Sequence, residues 1–420
     1  MGIKAIKGTR DIFGINIKKW RYVEDRIFNY AKRYNYSEIR LPTFESTELF
    51  SRGIGDATDI VNKEMYSFKD KGDRNITLRP EGTASVVRAY IENKMYIDKG
   101  VRKLFYIGSI FRQERPQKGR FREFYQFGIE NIGSLFPIAD AEVISFAYNL
   151  YKGLGLKSIK VELNSIGCRK CRVEYIKALK NYLEPNLNDL CSNCKERYNT
   201  NPLRILDCKN KICKDIIENA PTTVEYICDE CKKHFDKLIA YLNILKIPFI
   251  INGKLVRGLD YYTKTVFEIT SDRLGSQNAI AAGGRYDYLI GMFHSDEIPA
   301  VGFAGGIDRL ILLMEEEGLF DGFKEDVPDV FVVSVGDDSK SRAIEVVSEL
   351  RSRGYSVDID FMRRSIKSQL RKADKLGIKN ILIIGHEEIQ KGIIIYKNMK
   401  KHFQKEIDIN NYDEIDKIME

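Results

Sequence analysis

Several features of exported or membrane-bound proteins are missing from this sequence. No apolar run approaches the roughly 20 residues that a helix needs to cross a bilayer. The first residues, from Met1 to Ile6, lack the apolar segment of a secretory signal. Position 6 is isoleucine rather than serine or threonine, which excludes the usual N-myristoylation signal. We therefore expect a cytoplasmic chain that does not enter a membrane.

Cysteine is absent from most of the chain, because all eight cysteines lie between Cys168 and Cys231. In a cytoplasmic protein this clustering favours reduced thiols or metal ligation over disulfides. The residues form three Cys-x-x-Cys pairs and one looser pair: Cys168 and Cys171, Cys191 and Cys194, Cys228 and Cys231, and Cys208 and Cys213. Eight such ligands could hold two structural Zn²⁺ ions. They could equally be free buried thiols that act as small hydrophobic residues, and both interpretations stay open.

Internal repeats and low-complexity tracts are also absent, so we expect compact domains rather than a repeat protein. A chain of 420 residues is too long for one ordinary core, and two or three domains are expected. Hydrophobic residues make up 43% and charged residues 30%, which is typical of globular proteins. The net charge of +8 permits a polyanionic partner without requiring one.

Residue patterns divide the chain into four segments. Residues 1–166 mix amphipathic helices with strands, whereas residues 167–250 hold all the cysteines and follow a largely helical period. We interpret the second segment as an inserted module. Strands resume in residues 251–326. Residues 327–420 alternate strands with helices, which predicts a small α/β domain with a largely parallel core.

Three features are predicted within residues 251–326. A strand is expected over Leu255–Ile269, so that Arg257-Gly-Leu-Asp-Tyr-Tyr262 would begin it. Gly283–Gly284 predicts a turn. Val301–Met314 should pass from a strand into a helix through three glycines, whose spacing differs from the dinucleotide-binding fingerprint.

The most informative stretch runs from Phe105 to Ile132, where two predicted strands flank a loop with proline and glycine. Side chains on a strand alternate between faces. The positions that share one face of the second strand are Arg122, Phe124, Gln126, Gly128 and Glu130. The opposite face, with Tyr125, Phe127 and Ile129, suits a core.

This charged face could bind a nucleoside triphosphate. Five basic residues fall within eleven positions beside an aromatic ring. Arginine binds phosphate oxygens bidentately, and a ring such as Phe124 can stack on a base. The alternative is a solvated hairpin with one charged side.

Acidic and basic residues near predicted helix starts add to this pattern. Glu81 and Thr83 lie where a helix begins, although an acidic residue there could simply favour the helix dipole. Arg309 falls early in the helix that follows Gly306, where a cation opposes the dipole, so a functional purpose gains support.

Together and in this order, these segments resemble the histidyl-tRNA synthetase family of class II aminoacyl-tRNA synthetases. The stretches similar to the three class II motifs are the one ending at Leu41-Pro42, the one from Phe111 through Glu130, and the one from Gly302 to Arg309. Two further stretches are similar to histidine-specific signatures: Arg257 to Tyr262 and Gly283 to Asp287. The chain departs from the common pattern at Tyr288, often glycine, and at Asp308, commonly glutamate. Neither departure removes a charge.

The resemblance implies an architecture for the whole chain. It implies an α+β catalytic domain with a central antiparallel sheet of the class II synthetase type, formed by residues 1–166 and 251–326. It also implies a mostly helical insertion at 167–250 and a C-terminal α/β anticodon-binding domain at 327–420. A homodimer is expected, because motif 1 lies at the subunit interface of class II enzymes.

The resemblance also implies the reaction. The carboxylate of L-histidine would attack the α-phosphorus of ATP, with Mg²⁺ bound to the nucleotide, and give histidyl-adenylate and pyrophosphate. The terminal ribose hydroxyl of tRNA(His) would then take the histidyl group.

The residue roles that the resemblance implies are the following. ATP would be bound by Arg112, Glu114, Arg120, Phe124 and Arg309. Histidine would be bound by Glu81, Thr83, Arg112, Gln126, Glu130, Arg257, Tyr261 and Tyr262. The catalytic residues would be Arg112 and Arg257, and the acceptor end of the tRNA would meet Arg115 and Gln117.

Two other functions would account for parts of this pattern. A synthetase-like regulatory paralogue of histidine biosynthesis would make no aminoacyl-tRNA, but such paralogues usually lose the C-terminal domain and motif 2, and both are present here. A plain RNA-binding protein would not explain why Glu81, Glu130 and Tyr262 accompany the arginines. Pyrophosphate exchange that depends on histidine separates all three.

Overall fold

The computed structural model describes residues 2–55, 58–275 and 278–419. The chain forms two compact units, Met1–Phe323 and Lys324–Glu420. Among the helices described, none combines the length and apolar character needed to cross a membrane.

The first unit contains the strands β1 to β11 and the helices α1 to α9. The strands are β1 Ser37–Glu38, β2 Phe44–Ser46, β3 Tyr66–Lys69, β4 Asn75–Leu78, β5 Arg102–Phe111, β6 Glu123–Ile132, β7 Ile159–Ser165, β8 Ile250–Ile251, β9 Thr263–Ser271, β10 Ala279–Arg285 and β11 Ala300–Gly306. The helices are α1 Ile15–Arg33, α2 Thr47–Ile54, α3 Thr83–Glu92, α4 Pro137–Gly153, α5 Arg169–Leu183, α6 Ser192–Thr200, α7 Lys211–Ile217, α8 Asp229–Ile244 and α9 Ile307–Glu316.

Eight strands of this unit form one sheet in the order β1-β5-β6-β11-β10-β9-β7-β8. Neighbours are antiparallel except at the two edges, where β1 pairs with β5 and β8 pairs with β7 in parallel. A separate three-stranded sheet has the order β2-β4-β3. The expectation of a central, mainly antiparallel sheet is confirmed.

One face of the large sheet forms the main core. Phe127 and Ile129 of β6, Phe303 of β11 and Phe267 of β9 are buried there with Phe146 of α4. The rings of Phe127 and Phe303 meet edge to face at a centroid distance of 5.7 Å. Each such side chain contributes roughly 1.5–3 kcal/mol on burial, so this face anchors the sheet and leaves the other face for a ligand.

The insertion is helical, as its period predicted. Helices α5 to α8 lie between β7 and β8. Cys168, Cys191 and Cys228 stand directly before α5, α6 and α8, so each Cys-x-x-Cys pair spans the first turn of a helix. Two thiols of one pair thereby point to the same side of the chain.

Two predictions for residues 251–326 are wrong. The strand predicted from Leu255 begins only at Thr263, and Arg257 to Tyr262 form an irregular turn before it. Strand alternation therefore does not apply to Tyr261 and Tyr262, and both side chains are buried. Gly283 and Gly284 do not form a turn but lie within β10.

The glycines of β10 are required by close packing rather than by a turn. A Cβ on Gly283 would lie 2.3 Å from the carbonyl oxygen of Gly302 on the neighbouring strand. The register of β10 and β9 also shifts between Gly284 and Arg285, and Gly284 has a φ of 159°. A glycine pair therefore marks a crowded, bulged strand here.

The second unit has one five-stranded sheet and four helices among its described residues. Its strands are β12 Val330–Ser334, β13 Val357–Ile359, β14 Asn380–Ile384, β15 Ile393–Asn398 and β16 Phe403–Asp408. Its helices are α10 Asp337–Ser352, α11 Ile366–Lys375, α12 His386–Lys391 and α13 Tyr412–Met419. In the order β13-β12-β14-β15-β16, the first three strands are parallel and the last two pair in antiparallel fashion. The α/β prediction is confirmed, but the sequence pattern did not reveal β16.

Candidate active site

A floor of very small residues covers the centre of the large sheet on the face opposite the core. Directly opposed residues of neighbouring strands share a face, and the register places two rows there. One row runs through Glu130, Gly302, Gly284 and Val266; the next runs through Gly128, Ala304, Ala282 and Glu268. Glycine and alanine fill the middle of both rows, so other groups can approach the backbone closely there.

The glycines of this floor leave room that a larger residue would fill. A Cβ on Gly302 would lie 1.8 Å from Oε2 of Glu130, and a Cβ on Gly128 would lie 2.5 Å from the hydroxyl of Tyr106. The small residues therefore make space for polar side chains that rise from the floor.

Glu130 stands at one end of the floor and is fully buried. Its Oε1 accepts a hydrogen bond from the Thr83 hydroxyl at 2.7 Å, and its Oε2 accepts one from the Tyr286 hydroxyl at 2.5 Å. Burial raises the pKa of Glu130 to about 8, although both hydrogen bonds oppose the shift. A buried carboxyl group without a cationic partner is expensive unless a ligand uses it.

The burial of Glu130 predicts that the stability of the folded protein depends on pH. The pKa of Glu130 is raised above its unfolded value, so its contribution to stability is complete below about pH 4.5 and is lost as the pH rises through about 8. In the ligand-free protein, Glu130→Gln removes this titration. We expect the variant to be more stable than the wild type. The difference in the free energy of unfolding should be larger at pH 8 than at pH 5, by an amount on the order of a few kcal/mol.

Urea unfolding of the wild type and the variant at both pH values measures this difference. Glu123→Gln, at the other end of the same strand, is the matched control and should show no comparable pH dependence. An equal stability difference for Glu130→Gln at pH 5 and pH 8 would contradict the raised pKa.

Glu81 and Thr83 lie together at the start of α3. The carboxylate of Glu81 accepts hydrogen bonds from the backbone N–H groups of Thr83 and Ala84 at 2.9 and 2.6 Å. Tyr261 also donates its hydroxyl to Glu81 at 3.4 Å. Glu81 therefore does cap the helix, as the alternative explanation held, but Thr83 connects the same helix start to Glu130.

The turn before β9 brings Arg257, Tyr261 and Tyr262 toward this floor. Arg257 forms an ion pair with Glu268, which belongs to the row of Gly128. Burial raises the pKa of Tyr262 to about 12, a shift that the charge of Arg257 opposes and that of Glu130 increases. The hydroxyl of Tyr262 thus lies within electrostatic range of both groups.

Three buried polar atoms on this side have no hydrogen-bond partner among the described residues. They are the Tyr106 hydroxyl, Oε1 of Gln126 and Nε of Arg257. Tyr106 lies opposite Gly128, and Gln126 lies one row along from it. An unsatisfied buried polar group costs about 1–3 kcal/mol, so three of them near one floor indicate a place for a polar ligand.

A group of arginines adjoins the open end of β6. Arg120 donates to Glu114 at 2.8 Å, and Nη1 of Arg112 lies 3.8 Å from the same carboxylate. The guanidinium of Arg112 also lies 5.5 Å from the ring centroid of Phe124. Burial lowers the pKa of Arg309, and the charge of Arg120 lowers it further, so these two cations are close. Such a concentration of positive charge suits a polyphosphate.

Arg115 and Gln117 lie exposed on the loop between β5 and β6. The loop closes through backbone hydrogen bonds between Gln117 and Arg120. Both side chains are therefore open to an external partner.

Sequence reasoning missed three residues of this site: Tyr106, Glu268 and Tyr286. Tyr286 lies inside the histidine-like signature Gly283–Asp287 but carries no charge, so nothing in its type drew attention to it. Pairing β5 against β6 from the loop outward would have placed Tyr106 opposite Gly128. Glu268 required the register of four strands, which no local pattern supplies.

The eight cysteines fall into two separate groups of four. Cluster one is Cys168, Cys171, Cys228 and Cys231, and cluster two is Cys191, Cys194, Cys208 and Cys213. Within each cluster all four sulfur atoms lie within 4.8 Å of one another. The backbone N–H of Cys194 lowers the pKa of the Cys191 thiol to about 7, whereas burial raises the pKa values of the Cys194 and Cys213 thiols.

Comparisons with known proteins identify the family of the chain. A family model described as histidyl-tRNA synthetase matches residues 8–310, and one described as an anticodon binding domain matches residues 329–415. The histidine–tRNA ligase of Acetivibrio thermocellus is 49% identical over 408 residues, or 97% of each chain. That of Halothermothrix orenii is 49% identical and covers 98% of each chain.

A solved structure extends the similarity to the fold. The apo histidyl-tRNA synthetase of S. aureus has a TM-score of 0.81 and 39% sequence identity, over 99% of both chains. The family model alone spans more than half of the 420 residues. The chain belongs to the histidyl-tRNA synthetase family.

Proposed function

We propose that this chain activates L-histidine with ATP to give histidyl-adenylate and pyrophosphate, and then transfers the histidyl group to the 3′ end of tRNA(His). The observation that carries the proposal is the buried carboxyl group of Glu130 on a glycine and alanine floor, with a group of arginines at the other end of β6. Histidine would lie beside the polar groups that rise from this floor, and the arginines have the charge for a triphosphate.

Glu130 and Tyr262 would bind the imidazole of histidine, with Tyr261 close by. Imidazole carries one nitrogen that donates and one that accepts, so a carboxylate and a phenol can each address one of them. Thr83 and Tyr286 already hold both carboxylate oxygens of Glu130 and would fix its orientation. An apolar amino acid would leave these buried groups unpaired and would be rejected.

The remaining groups of the amino acid would meet residues along the same floor. Glu81 and Thr83, at the start of α3, would bind the ammonium group. Gln126 would steady the carboxylate, and its buried Oε1 lacks a partner among the described residues, which supports a ligand contact there. Arg112 would then hold the carboxylate against the α-phosphate.

ATP would lie along the arginines. Phe124 would stack on adenine, Glu114 would accept from its exocyclic amine, and Arg120 and Arg309 would hold the outer phosphates. Magnesium bound with the nucleotide would supply positive charge against the phosphates. Burial and the charge of Glu114 raise the pKa of Glu64, so these two carboxylates lie close together. Carboxylates are ligands that Mg²⁺ prefers, and these two stand beside the arginines.

Arg257 would act as the cation that meets the charge developing at the α-phosphate. Phosphoryl and nucleotidyl transfer depend chiefly on positioned charge, and little covalent help from the protein is needed. The partly buried ion pair with Glu268 keeps the guanidinium in place, and the Nε of Arg257, which has no partner among the described residues, leaves a donor for the substrate.

The proposal assigns residues 1–166 and 251–326 to catalysis, residues 167–250 to an insertion and residues 327–420 to anticodon recognition. Arg115 and Gln117 would contact the acceptor end of the tRNA. By family resemblance the chain would act as a homodimer in the cytoplasm.

Zinc would stabilise the insertion. The four thiols of each cluster converge closely enough to surround one ion, so the residues present fit structural Zn²⁺. Bound zinc would supply crosslinks between helices and would take no part in the reaction.

Histidine-dependent exchange of labelled pyrophosphate into ATP tests the activity. We expect exchange with L-histidine and none with other amino acids, followed by histidylation of tRNA(His). A folded protein that shows no exchange would exclude the enzyme. Exchange without transfer to tRNA would contradict the second step only.

A further inference from the structure

We propose that each cysteine cluster binds one zinc ion and that the two ions together fix the turn from Arg257 to Tyr262. The inference rests on the activity and the zinc proposed above, and it gives the metals a defined task. In this view the insertion is a metal-dependent brace for a catalytic turn, and it does more than stabilise itself.

The sulfur positions match tetrahedral zinc in both clusters. Four sulfurs at about 2.3 Å from a central ion lie roughly 3.8 Å apart. The structure has Cys168 and Cys171 at 3.6 Å, and Cys191 and Cys208 at 3.8 Å. A disulfide would need about 2.05 Å. Free thiols acting as hydrophobic residues have no reason to converge in two sets of four.

Backbone N–H groups in each cluster donate hydrogen bonds to sulfur atoms of that cluster. The N–H of Cys228 donates to Sγ of Cys171 at 3.1 Å, and the N–H of Cys191 donates to Sγ of Cys213 at 3.3 Å. Both donors join segments distant in sequence, so each cluster ties two parts of the insertion together. Cluster one joins the start of α5 to the start of α8, which are the first and last helices of the insertion.

Cluster one reaches the catalytic turn through Arg172. This residue follows Cys171 on α5, in the helical turn that the metal would hold. Its guanidinium donates to the backbone carbonyl oxygens of Asp260, at 3.4 Å, and of Tyr262. A metal that fixes this helical turn would therefore also fix Arg172, and Arg172 holds both ends of the Asp260–Tyr262 segment.

Cluster two reaches the same turn through the segment between Cys194 and Cys208. Asn201 donates from Nδ2 to Oδ1 of Asp260 at 2.7 Å. Arg204 lies against Gly258, where an added Cβ would be 2.9 Å from its Nη1. Residues close in sequence to each cluster thus contact the turn at different atoms. Loss of either metal would therefore free one side of the turn.

Zinc content provides the first test. Protein purified without chelator should contain two zinc ions per chain, and Cys228→Ser and Cys208→Ser should each remove one. With Co²⁺ in place of zinc, each remaining site should give the absorption of a tetrahedral tetrathiolate. Less than half an equivalent of zinc in active wild-type protein would overturn the proposal but leave the enzyme activity intact.

The bracing role needs a test that keeps the metal. Arg172→Ala and Asn201→Ala should retain two zinc ions, yet lower kcat of pyrophosphate exchange by about 10- to 100-fold, with the KM for ATP unchanged. Arg172→Lys should recover part of the loss. The control is Lys177→Ala, at an exposed position of the same helix, which should behave as wild type.

Wild-type kcat in both Arg172→Ala and Asn201→Ala would overturn the bracing role, even if two zinc ions are bound. A fall in zinc content with these variants would also contradict it, because the residues would then serve the metal sites and not the turn. Absence of exchange in the wild type would instead contradict the proposed function.

Discussion

Replacing Arg257 with alanine should lower histidine-dependent pyrophosphate exchange by about 10²- to 10³-fold, the range for loss of one positioned charge at a reacting centre. The cation would be missing where charge develops, whereas the floor and the other arginines would remain. We expect the loss in kcat, with much smaller changes in the KM values for ATP and histidine. Steady-state exchange at varied ATP and histidine measures it.

The control must account for the partner of Arg257. Removing the arginine leaves the partly buried Glu268 without its cation, which lowers stability. The double variant Arg257→Ala with Glu268→Gln removes that charge, and thermal unfolding shows whether the fold is retained. A folded double variant with near wild-type kcat would show that Arg257 has no role in the reaction.

Replacing Glu130 with alanine should raise the KM for histidine by roughly 100-fold, because a charge-assisted hydrogen bond to the imidazole is worth about 1.5–3 kcal/mol. The change also leaves the hydroxyl groups of Thr83 and Tyr286 without their acceptor. The KM for ATP should change little, since the arginines stand at the other end of β6. Exchange kinetics with histidine varied at saturating ATP, and the reverse, separate the two effects.

Glu123→Ala serves as the matched control, because Glu123 lies on the same strand, seven residues away. It should leave the KM for histidine unchanged. If Glu130→Ala keeps both the wild-type KM and the requirement for histidine, the specificity argument fails.

Strand alternation predicted much of β6 correctly. Phe127 and Ile129 lie in the core, and Gln126, Gly128 and Glu130 share the opposite face. This succeeded because alternation is a local property of an extended backbone. The helix start at Thr83 was predictable for the same reason, since capping patterns lie within a few residues of each other.

The neighbours of β6 were not predictable from one sequence. The floor exists because β11 and β10 place glycine and alanine beside Gly128 and Glu130, and this pairing joins residues more than 140 positions apart. Local propensity also misled at Gly283, since a glycine in a crowded strand looks like one in a turn. The division of four cysteine pairs into two clusters is a similar case, because spacing alone does not say which pairs meet.

The glycine and alanine floor has a consequence for attempts to redesign this protein. Binding sites are usually enlarged by shortening side chains. Here the floor already consists of glycine and alanine, which leave little side chain to shorten. Bulkier amino acids could be admitted only by altering the walls, which include Glu130 and Tyr261, the residues proposed to define the ligand. The volume of the binding site and its selectivity for histidine therefore depend on the same residues. Directed evolution toward larger substrates should yield variants that lose selectivity before it yields any with only a larger site.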